Sequence, residues 1–284
     1  MIEIVSVGSS SSGNSYIIMA DGHTIVLDVG LPAKKITGAL EQLGTDPADV
    51  DAVLLTHEHT DHVKSVRAIS RKCCNALFYA SRGTMAHTEN FQYVPEERVR
   101  PVAAGEIVSD VEGTEISVFP LSHDAAEPLG FTVTSGGSKL AVVTDTGVIN
   151  DEIYAAIADA DLLVFEANHD VDMLMFGEYP YPVKVRIKSD KGHLSNDYAG
   201  EVLASILSDR DSSRGPLQIM LAHLSFHNNA PLFARQTVED ALGAAGFHKG
   251  KDYTLEVAAK EGLTFLRPLN VEDGKLIPGR LKDA

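Results

Sequence analysis

The sequence predicts an α/β protein of the α+β kind, folded as a four-layer αββα sandwich. Short runs rich in β-branched residues alternate with amphipathic stretches along the 284-residue chain. The strand-like runs gather towards both ends with helical stretches between them, which favours two packed mixed sheets covered by helices. The composition, with 44% apolar and 23% charged residues, is typical of a globular protein that can bury a large core.

The chain opens with three predicted strands in an antiparallel meander. They cover residues 2–7, 15–19 and 23–28, and Asp21-Gly22 is a hairpin-turn signal between the last two. The same periodicities predict helices over residues 31–43, 61–72, 149–158, 196–208 and 231–243, and strands over residues 52–55, 76–80, 115–119, 129–135, 139–144, 161–165, 217–222, 253–257 and 263–266. We therefore expect more than ten strands and about five helices.

No Pro/Ser-rich linker, charge run or internal repeat divides the sequence, so we expect a single domain over residues 1–284 with a peripheral tail from about residue 268. No apolar run approaches the roughly 20 residues of a membrane span, and no basic segment followed by an apolar one opens the chain. Adjacent Cys73 and Cys74 are expected to be reduced thiols at a helix end. These features predict a cytoplasmic protein without a membrane partner.

The net charge of −16 bounds the function classes. It argues against a protein that coats nucleic acid with its whole surface, because such binding relies on many basic side chains. A local basic site remains compatible with this charge.

The segment of residues 54–62, LLTHEHTDH, carries the clearest chemical signal. A buried strand ends in three histidines within six positions, interspersed with acidic residues. Neutral imidazoles and carboxylates suit divalent Zn, Mn or Fe, and a turn at a strand's end can aim several such side chains at one point. The alternative is a polar surface loop that is rich in histidine by chance, which this density disfavours.

Further candidate ligands follow three later apolar runs. These residues are His123, Asp145 and His223. Side chains at strand ends are held rigidly, as metal coordination requires. Taken alone, each would be interpreted as a capping or surface residue. Together with the histidine cluster they complete two metal shells.

This set resembles, in order and approximate spacing, the ligand set of the metallo-β-lactamase superfamily, and Asp28 in VLDVG matches its first acidic motif. The resemblance covers nearly the whole chain. The segments SVGSSSSGNSY, FEANHD, KGHLSN and LAHLSFHNN are similar to the YycJ/WalJ-like bacterial branch. Members of that branch are regarded as cytoplasmic metal-dependent hydrolases with nuclease activity, and a 5′ to 3′ DNA exonuclease role is the one usually proposed for them.

The resemblance implies a metallo-β-lactamase fold and an enzyme with two divalent metal ions, Zn or Mn, with Fe also compatible. It implies two ligand groups that Asp145 bridges. One ion would be bound by His57, His59 and His123, and the other by Asp61, His62 and His223. Asp28 would orient a ligand histidine or the metal-bound solvent. Asp61 would also be catalytic, because it would orient the metal-bridging hydroxide that attacks phosphorus. The implied activity is phosphodiesterase or nuclease action on DNA or RNA ends.

Two segments are candidates for substrate binding. The loop over residues 8–15 offers Ser12 and Asn14 to a phosphate, although a flexible turn would explain its composition equally well. The segment over residues 181–191 has a local excess of basic residues, and Lys184 and Arg186 are candidate contacts to a nucleic-acid backbone. The alternative there is a solvated face on a strand or a helix, because apolar residues alternate with the basic ones as in a half-buried strand.

His193 is a candidate catalytic and substrate-binding residue. An imidazole changes charge near neutral pH, so His193 could protonate a leaving oxygen or contact a phosphate. A structural histidine bonded to a carbonyl is the alternative.

Two other functions stay open. A glyoxalase II-like thioester hydrolase has a similar site, but that family adds a helical lobe where this chain has strand signals. A metal-loaded binding module with little turnover is the third hypothesis. The short interval between Asp145 and His223 leaves no room for the β-CASP insertion of DNA-processing relatives. The expected partner is nucleic acid or another phosphodiester, and the sequence leaves the oligomeric state open.

Overall fold

A computed structural model describes residues 2–211, 213–272 and 275–278. In it two seven-stranded sheets pack face to face, and helices cover their outer faces. The predicted αββα sandwich is therefore confirmed. None of the helices in the described residues combines the length and apolar character that a membrane span requires.

The elements are numbered along the chain. The strands are β1 (Ile2–Gly8), β2 (Ser15–Ala20), β3 (His23–Leu27), β4 (Ala52–Leu54), β5 (Leu77–Ala80), β6 (Val99–Pro101), β7 (Ile107–Val108), β8 (Thr114–Pro120), β9 (Leu129–Ser135), β10 (Ser138–Val143), β11 (Leu162–Glu166), β12 (Leu217–Ala222), β13 (Tyr253–Val257), β14 (Thr264–Leu266), β15 (Leu269–Glu272) and β16 (Lys275–Pro278). The α-helices are α1 (Ala33–Gln42), α2 (Thr60–Val63), α3 (Val66–Lys72), α4 (Arg82–His87), α5 (Asp151–Ile157), α6 (Val171–Phe176), α7 (Tyr181–Ile187), α8 (Asn196–Asp209) and α9 (Pro231–Ala244). Short 3-10 helices lie at Pro47–Asp49, Glu89–Tyr93 and Glu96–Arg98.

The first sheet has the strand order β14-β1-β2-β3-β4-β5-β6. Its β1, β2 and β3 form the predicted antiparallel meander, and β3 to β6 run parallel. The second sheet has the order β13-β12-β11-β10-β9-β8-β7, with β10 to β13 parallel and β9 antiparallel to both neighbours. Consequently β8, β10, β11 and β12 all end at the same edge of this sheet, where ligands commonly bind in α/β proteins.

Three apolar layers hold the sandwich together. Between the sheets, Tyr16 and Ile18 of the first sheet pack with Val118 and Phe131 of the second. Helices α1 and α3 cover the outer face of the first sheet, and α5, α8 and α9 cover that of the second. Because strands such as β4 are buried on both faces, they lack a polar face and form continuous apolar runs in the sequence.

The helix predicted over residues 61–72 is instead two helices, α2 and α3. The amide of Ser65 donates to the carbonyl of Val29 (2.9 Å), and the carbonyl of Asp61 accepts from the amide of Asn14 (2.8 Å). These tertiary bonds replace the i to i−4 bond that would continue the helix, so the chain breaks there.

Other helices depart from prediction as well. Residues 181–187 form helix α7, so the alternation of apolar and basic residues there was not that of a strand. Pro182 in its first turn is a helix-start signal, since a proline there loses no intrahelical bond. The described residues contain nine α-helices instead of about five, because helices as short as α4 and α6 produce no lasting periodicity. Cys73 is buried and Cys74 exposed, both as free thiols.

The predicted peripheral tail is described in part. Strands β15 and β16 pair in a third, two-stranded sheet. Residues 273–274 and 279–284 lie outside the described residues. The single-domain boundary of residues 1–284 stays a prediction.

Gly30 allows the chain after β3 to approach the start of α2. A Cβ at this position would lie 1.6 Å from the carbonyl oxygen of Asp61 and 2.8 Å from the amide nitrogen of His62. We expect Gly30→Ala to lower the free energy of unfolding by about 3 kcal/mol, because backbone atoms cannot rotate away from the added methyl. Urea unfolding measures this change.

Gly38→Ala is the matched control, since Gly38 lies within α1 and a Cβ there meets nothing within 4 Å. We expect it to raise the free energy of unfolding by about 0.5–1 kcal/mol through helix propensity. A Gly30→Ala protein as stable as the parent would contradict the close approach.

Candidate metal centre

The side chains that follow the strands of both sheets meet at one edge of the sandwich. Asp28 follows β3 and His57 lies just beyond β4, whereas His123, Asp145 and His223 lie just beyond β8, β10 and β12. Parallel strands bring their carboxyl ends to a common edge, so residues far apart in sequence become neighbours.

Within the described residues, four overlapping sets of side chains place their ligand atoms within 4.8 Å of one another. The sets are His57, His59 and His123; His57, His62 and Asp145; Asp61, His62 and His223; and Asp145, Glu166, His193 and His223. The structure thus brings together all seven side chains that the resemblance implies as ligands.

Asp145 lies at the middle of these sets. Its Oδ2 is 3.3 Å from Nε2 of His62, and its Oδ1 is 3.4 Å from Nε2 of His223 and 3.8 Å from Nε2 of His123. In a tetrahedral shell with bonds of about 2.0–2.2 Å, ligand atoms are about 3.3–3.6 Å apart. The spacing around Asp145 is therefore close to that of a metal shell.

Several buried atoms of the site lack a hydrogen-bond partner. They include Nε2 of His57, Nε2 of His223 and Oδ2 of Asp145. Buried polar atoms are normally satisfied, so these atoms need a partner that the chain does not supply. Imidazole nitrogens and carboxylate oxygens suit divalent transition metals, and the residues present fit such a group.

In four of the five candidate ligand histidines, the exception being His59, Nδ1 is held by the protein, which fixes the direction of Nε2. Nδ1 of His62 lies 2.7 Å from Oδ2 of Asp28, the residue predicted to orient a ligand. Nδ1 of His123 lies 3.1 Å from the carbonyl oxygen of Gly192. Both imidazoles consequently present Nε2 to the centre.

Glu166 orients two more imidazoles, and the sequence reasoning did not single it out. This buried residue ends β11, and its Oε1 lies 3.0 Å from Nδ1 of His223 and 2.8 Å from Nδ1 of His193. Its Oε2 accepts from the amide of Thr146 at 3.0 Å. An acidic residue directly after an apolar run is the same signal that identified Asp145, so the sequence did contain it.

The electrostatics of the site favour positive charge. Burial holds the pKa of His57 well below its ordinary value, so this imidazole is neutral, the form that binds metal. Burial also lowers the pKa of His62 and His223, but Asp145 and further carboxylates outweigh it. They hold the pKa of His62 well above its ordinary value and raise that of His223 to about 10. The buried carboxylates thus attract cations to this edge.

Three site residues have left-handed backbone conformations. The φ angles are 56° for Asp28, 62° for Asp145 and 56° for His223. Such conformations cost about 1–3 kcal/mol each for residues other than glycine, and Asp and His are among the types found there more often. At each of these strand ends the backbone turns so that the side chain points to the centre. Strain of this kind concentrates at functional sites.

One side of the centre is open. His57, His62 and His223 are buried, whereas His59 is half-buried and the Asp61 side chain is 25% exposed. A substrate can therefore approach from the side on which His59 and Asp61 lie.

The two predicted phosphate contacts of the serine loop differ in exposure. Asn14 is buried, its Nδ2 lies 3.2 Å from Nε2 of His62, and its Oδ1 accepts from the amide of Ser10 at 3.0 Å. Asn14 therefore shapes the loop and contacts a candidate ligand. Ser12 is exposed at the tip, with its Oγ 2.8 Å from Oγ of Ser10. A role for Ser12 or Asn14 in phosphate binding stays a prediction.

The prediction that Lys184 contacts a substrate phosphate is wrong. Lys184 is only 9% exposed, and its Nζ donates to the carbonyl oxygens of Met175 (2.8 Å) and Gly177 (2.7 Å). Its ammonium group thus caps the end of α6, where cations stabilise unpaired carbonyls. Arg186 is exposed and donates to the carboxylate of Asp124.

This contrast predicts that substitutions at two positions of α7 change the free energy of unfolding to very different extents. Lys184→Met leaves two inward-facing carbonyls without a donor and should lower the free energy of unfolding by about 1–3 kcal/mol. Arg186→Met removes an exposed side chain and should change it by less than about 0.5 kcal/mol. Urea unfolding of both variants tests the assignment, and equal effects would show that Lys184 is not a structural cation.

Comparisons with known proteins agree with this geometry. The Beta-lactamase superfamily domain matches residues 23–210. Exodeoxyribonuclease YycJ of Bacillus anthracis is 34% identical over 250 residues, which cover 88% of this chain and 92% of that protein. Exodeoxyribonuclease WalJ of Streptococcus pneumoniae is 34% identical over 252 residues, covering 87% and 90%.

A solved structure shares the fold. The metallo-β-lactamase fold protein YhfI of Bacillus subtilis superposes with a TM-score of 0.68 at 15% identity, covering 93% of this chain and 99% of that one. The chain belongs to the β-lactamase superfamily and, within it, is a relative of YycJ and WalJ.

Proposed function

We propose that this protein is an exodeoxyribonuclease, a phosphodiesterase that holds two divalent cations and hydrolyses DNA from its ends. The observation that carries the proposal is the convergence of seven imidazole and carboxylate side chains around Asp145 at an open edge. The names of the relatives support DNA as the substrate, since both are 34% identical over most of their length. Zn and Mn fit the donor set, and Fe is also compatible.

Two groups of side chains would hold the cations, with Asp145 between the groups. The first cation would be held by His57, His59 and His123, and the second by Asp61, His62 and His223. Cations bound there would lower the pKa of a water molecule and stabilise the charge that develops on the phosphate. Oδ2 of Asp61 faces Nε2 of both His62 and His223, at 3.6 and 3.7 Å. Its other oxygen is left to accept a hydrogen bond from the attacking water and orient it.

His193 is the candidate acid that protonates the leaving oxygen. Its side chain is 15% exposed, and its ring centroid lies 5.0 Å from that of His123 and 5.2 Å from that of His223. Because Nδ1 is engaged by Glu166, Nε2 is the nitrogen that can donate a proton. The contact with Glu166 holds the ring in one orientation, as a general acid requires.

The thioesterase alternative is weaker. The described residues that follow α9 add β13 to the second sheet and β14 to the first. A glyoxalase II-like chain is expected to have a helical lobe in that region.

With Mn²⁺ the protein should degrade linear duplex DNA and spare a covalently closed circle. Asp61→Asn should lower kcat on linear DNA and on bis-p-nitrophenyl phosphate at least about a hundredfold, because it removes a ligand and the group that orients water. Gel assays on 5′- and 3′-labelled duplexes measure the degradation of DNA, and the release of p-nitrophenolate measures hydrolysis of the small diester. Elemental analysis measures the bound metal.

Asp159→Asn is the control, because Asp159 forms an exposed ion pair with Lys139. It should keep the activity and metal content of the parent. Cleavage of closed circles as fast as linear DNA, or turnover of a glutathione thioester alone, would refute the proposal.

A second prediction tests the role of His193. His193→Ala should slow DNA hydrolysis about 10²- to 10⁴-fold, because the leaving sugar oxygen needs a proton. Hydrolysis of bis-p-nitrophenyl phosphate should fall far less, because p-nitrophenolate leaves without one. The exposed His248→Ala is the control. Equal losses on the two substrates, with unchanged metal content, would exclude His193 as the acid.

A further inference from the structure

An exposed aromatic ring follows a candidate metal ligand in the chain, and the proposed chemistry does not use it. Phe226 is 68% exposed and lies three residues beyond His223, in the loop of residues 224–229. Large apolar side chains are mostly buried, and exposed ones near a site often mark a binding surface. Phe226 is therefore a candidate contact for a ligand.

The loop that carries this ring is fixed at both ends. The amide of Ser225 donates to the carbonyl of Asn168 (2.8 Å), and the amide of Asn228 donates to Oγ of Ser225 (3.2 Å). Asn229 and Asn196 exchange two side-chain amide hydrogen bonds of 2.9 and 3.0 Å. Phe226 is thus presented to solvent by a well-bonded loop, which lowers the entropy cost of binding.

A cation and two further rings accompany Phe226. Nζ of Lys260 lies 3.8 Å from the centroid of its ring. The ring of His227 packs edge-on at 5.1 Å, and that of Tyr179 lies 5.7 Å beyond His227. Surfaces that bind single-stranded nucleic acid combine such rings, on which bases stack, with basic groups that follow the backbone.

This surface is connected to a candidate metal ligand through the serine loop. A cavity of about 210 Å³ is lined by Phe226 and Lys260 together with Ser9 and Ser10 of that loop. Oγ of Ser9 accepts from the backbone amide of His223 at 2.9 Å, so one wall of the cavity is bonded to a candidate metal ligand. A nucleotide whose phosphate reached the metals would place its base or the adjoining one beside Phe226.

We propose that Phe226, together with His227 and Lys260, is a base-stacking subsite for single-stranded DNA next to the scissile phosphate. The inference rests on the proposed nuclease function and deepens it. A strand end that enters an enclosed site loses stacking with its neighbours, and the Phe226 ring replaces part of that interaction. Because every base has an aromatic face, the subsite accepts any sequence. Lys260 stabilises the backbone phosphate of the stacked nucleotide.

The chain offers a direct probe, because it contains no tryptophan. Phe226→Trp introduces a single indole, whose fluorescence is quenched when a base stacks on it. We expect quenching when the full-length protein is titrated with a phosphorothioate oligothymidylate that resists hydrolysis. Ile107→Trp is the control. Ile107 is 61% exposed and lies on β7, the edge strand of the second sheet that is far from β12. No quenching at position 226, or equal quenching at position 107, would overturn the subsite.

Binding measurements separate stacking from a structural effect. Phe226→Ala should weaken binding of oligothymidylate about five- to a hundredfold, whereas Phe226→Tyr should retain it. An oligomer of the same length without bases should bind the parent and Phe226→Ala equally. Lys260→Ala should reduce the salt dependence of binding, and the exposed Lys251→Ala should not. Equal weakening on both oligomers would overturn the stacking role.

The outcomes distinguish this inference from the function on which it rests. Quenching without hydrolysis under any metal would leave the subsite standing and refute the nuclease. Hydrolysis of DNA with unchanged binding by Phe226→Ala would refute the subsite alone. A Phe226-dependent change in oligomeric state, without quenching by DNA, would also refute it and would assign the surface to a second copy of the chain.

Discussion

Asp145 lies between the imidazoles of His62, His123 and His223, at the edge where the parallel strands of both sheets end. Two other buried carboxylates contact the Nδ1 atoms of these imidazoles, Asp28 at His62 and Glu166 at His223. Buried charge is costly unless it is paired and hydrogen-bonded, so this edge forms only if each group has a partner in a fixed place. The sandwich meets that requirement through rigid strand ends, and the atoms left without partners point to the position of the cations.

The same edge also joins the two sheets. The amide of Leu129 in β9 donates to the carbonyl of Thr56 (2.9 Å), and the amide of His223 donates to Oγ of Ser9. Residues of the first sheet are thereby bonded to residues of the second within the site itself. Sheet packing and ligand geometry consequently depend on each other, and left-handed backbone conformations are tolerated where both demands meet. The loop that carries Phe226 begins directly after His223, so the same rigid edge would position both the bound substrate strand and the metals.

The sequence predicted the layered fold and the side chains that meet at one edge of it, because both depend on local patterns. Strand β12 was predicted with its observed bounds, and the residue after it, His223, reaches the centre. Tertiary hydrogen bonds escaped prediction. The burial of Lys184 depends on where α6 ends, and the break at Ser65 depends on Val29 and Asn14, which periodicity does not reveal. Glu166 was missed for another reason, since its strand-end signal was present but its segment was interpreted only as a family resemblance.

We propose that seven side chains from both sheets, with Asp145 at their centre, hold two cations. Anomalous diffraction at the absorption edge of the metal, from crystals of protein purified without chelator, tests it most directly. We expect two peaks, both within bonding distance of Asp145, one beside His57, His59 and His123 and the other beside Asp61, His62 and His223. A single saturated ion, or peaks away from this edge, would contradict it.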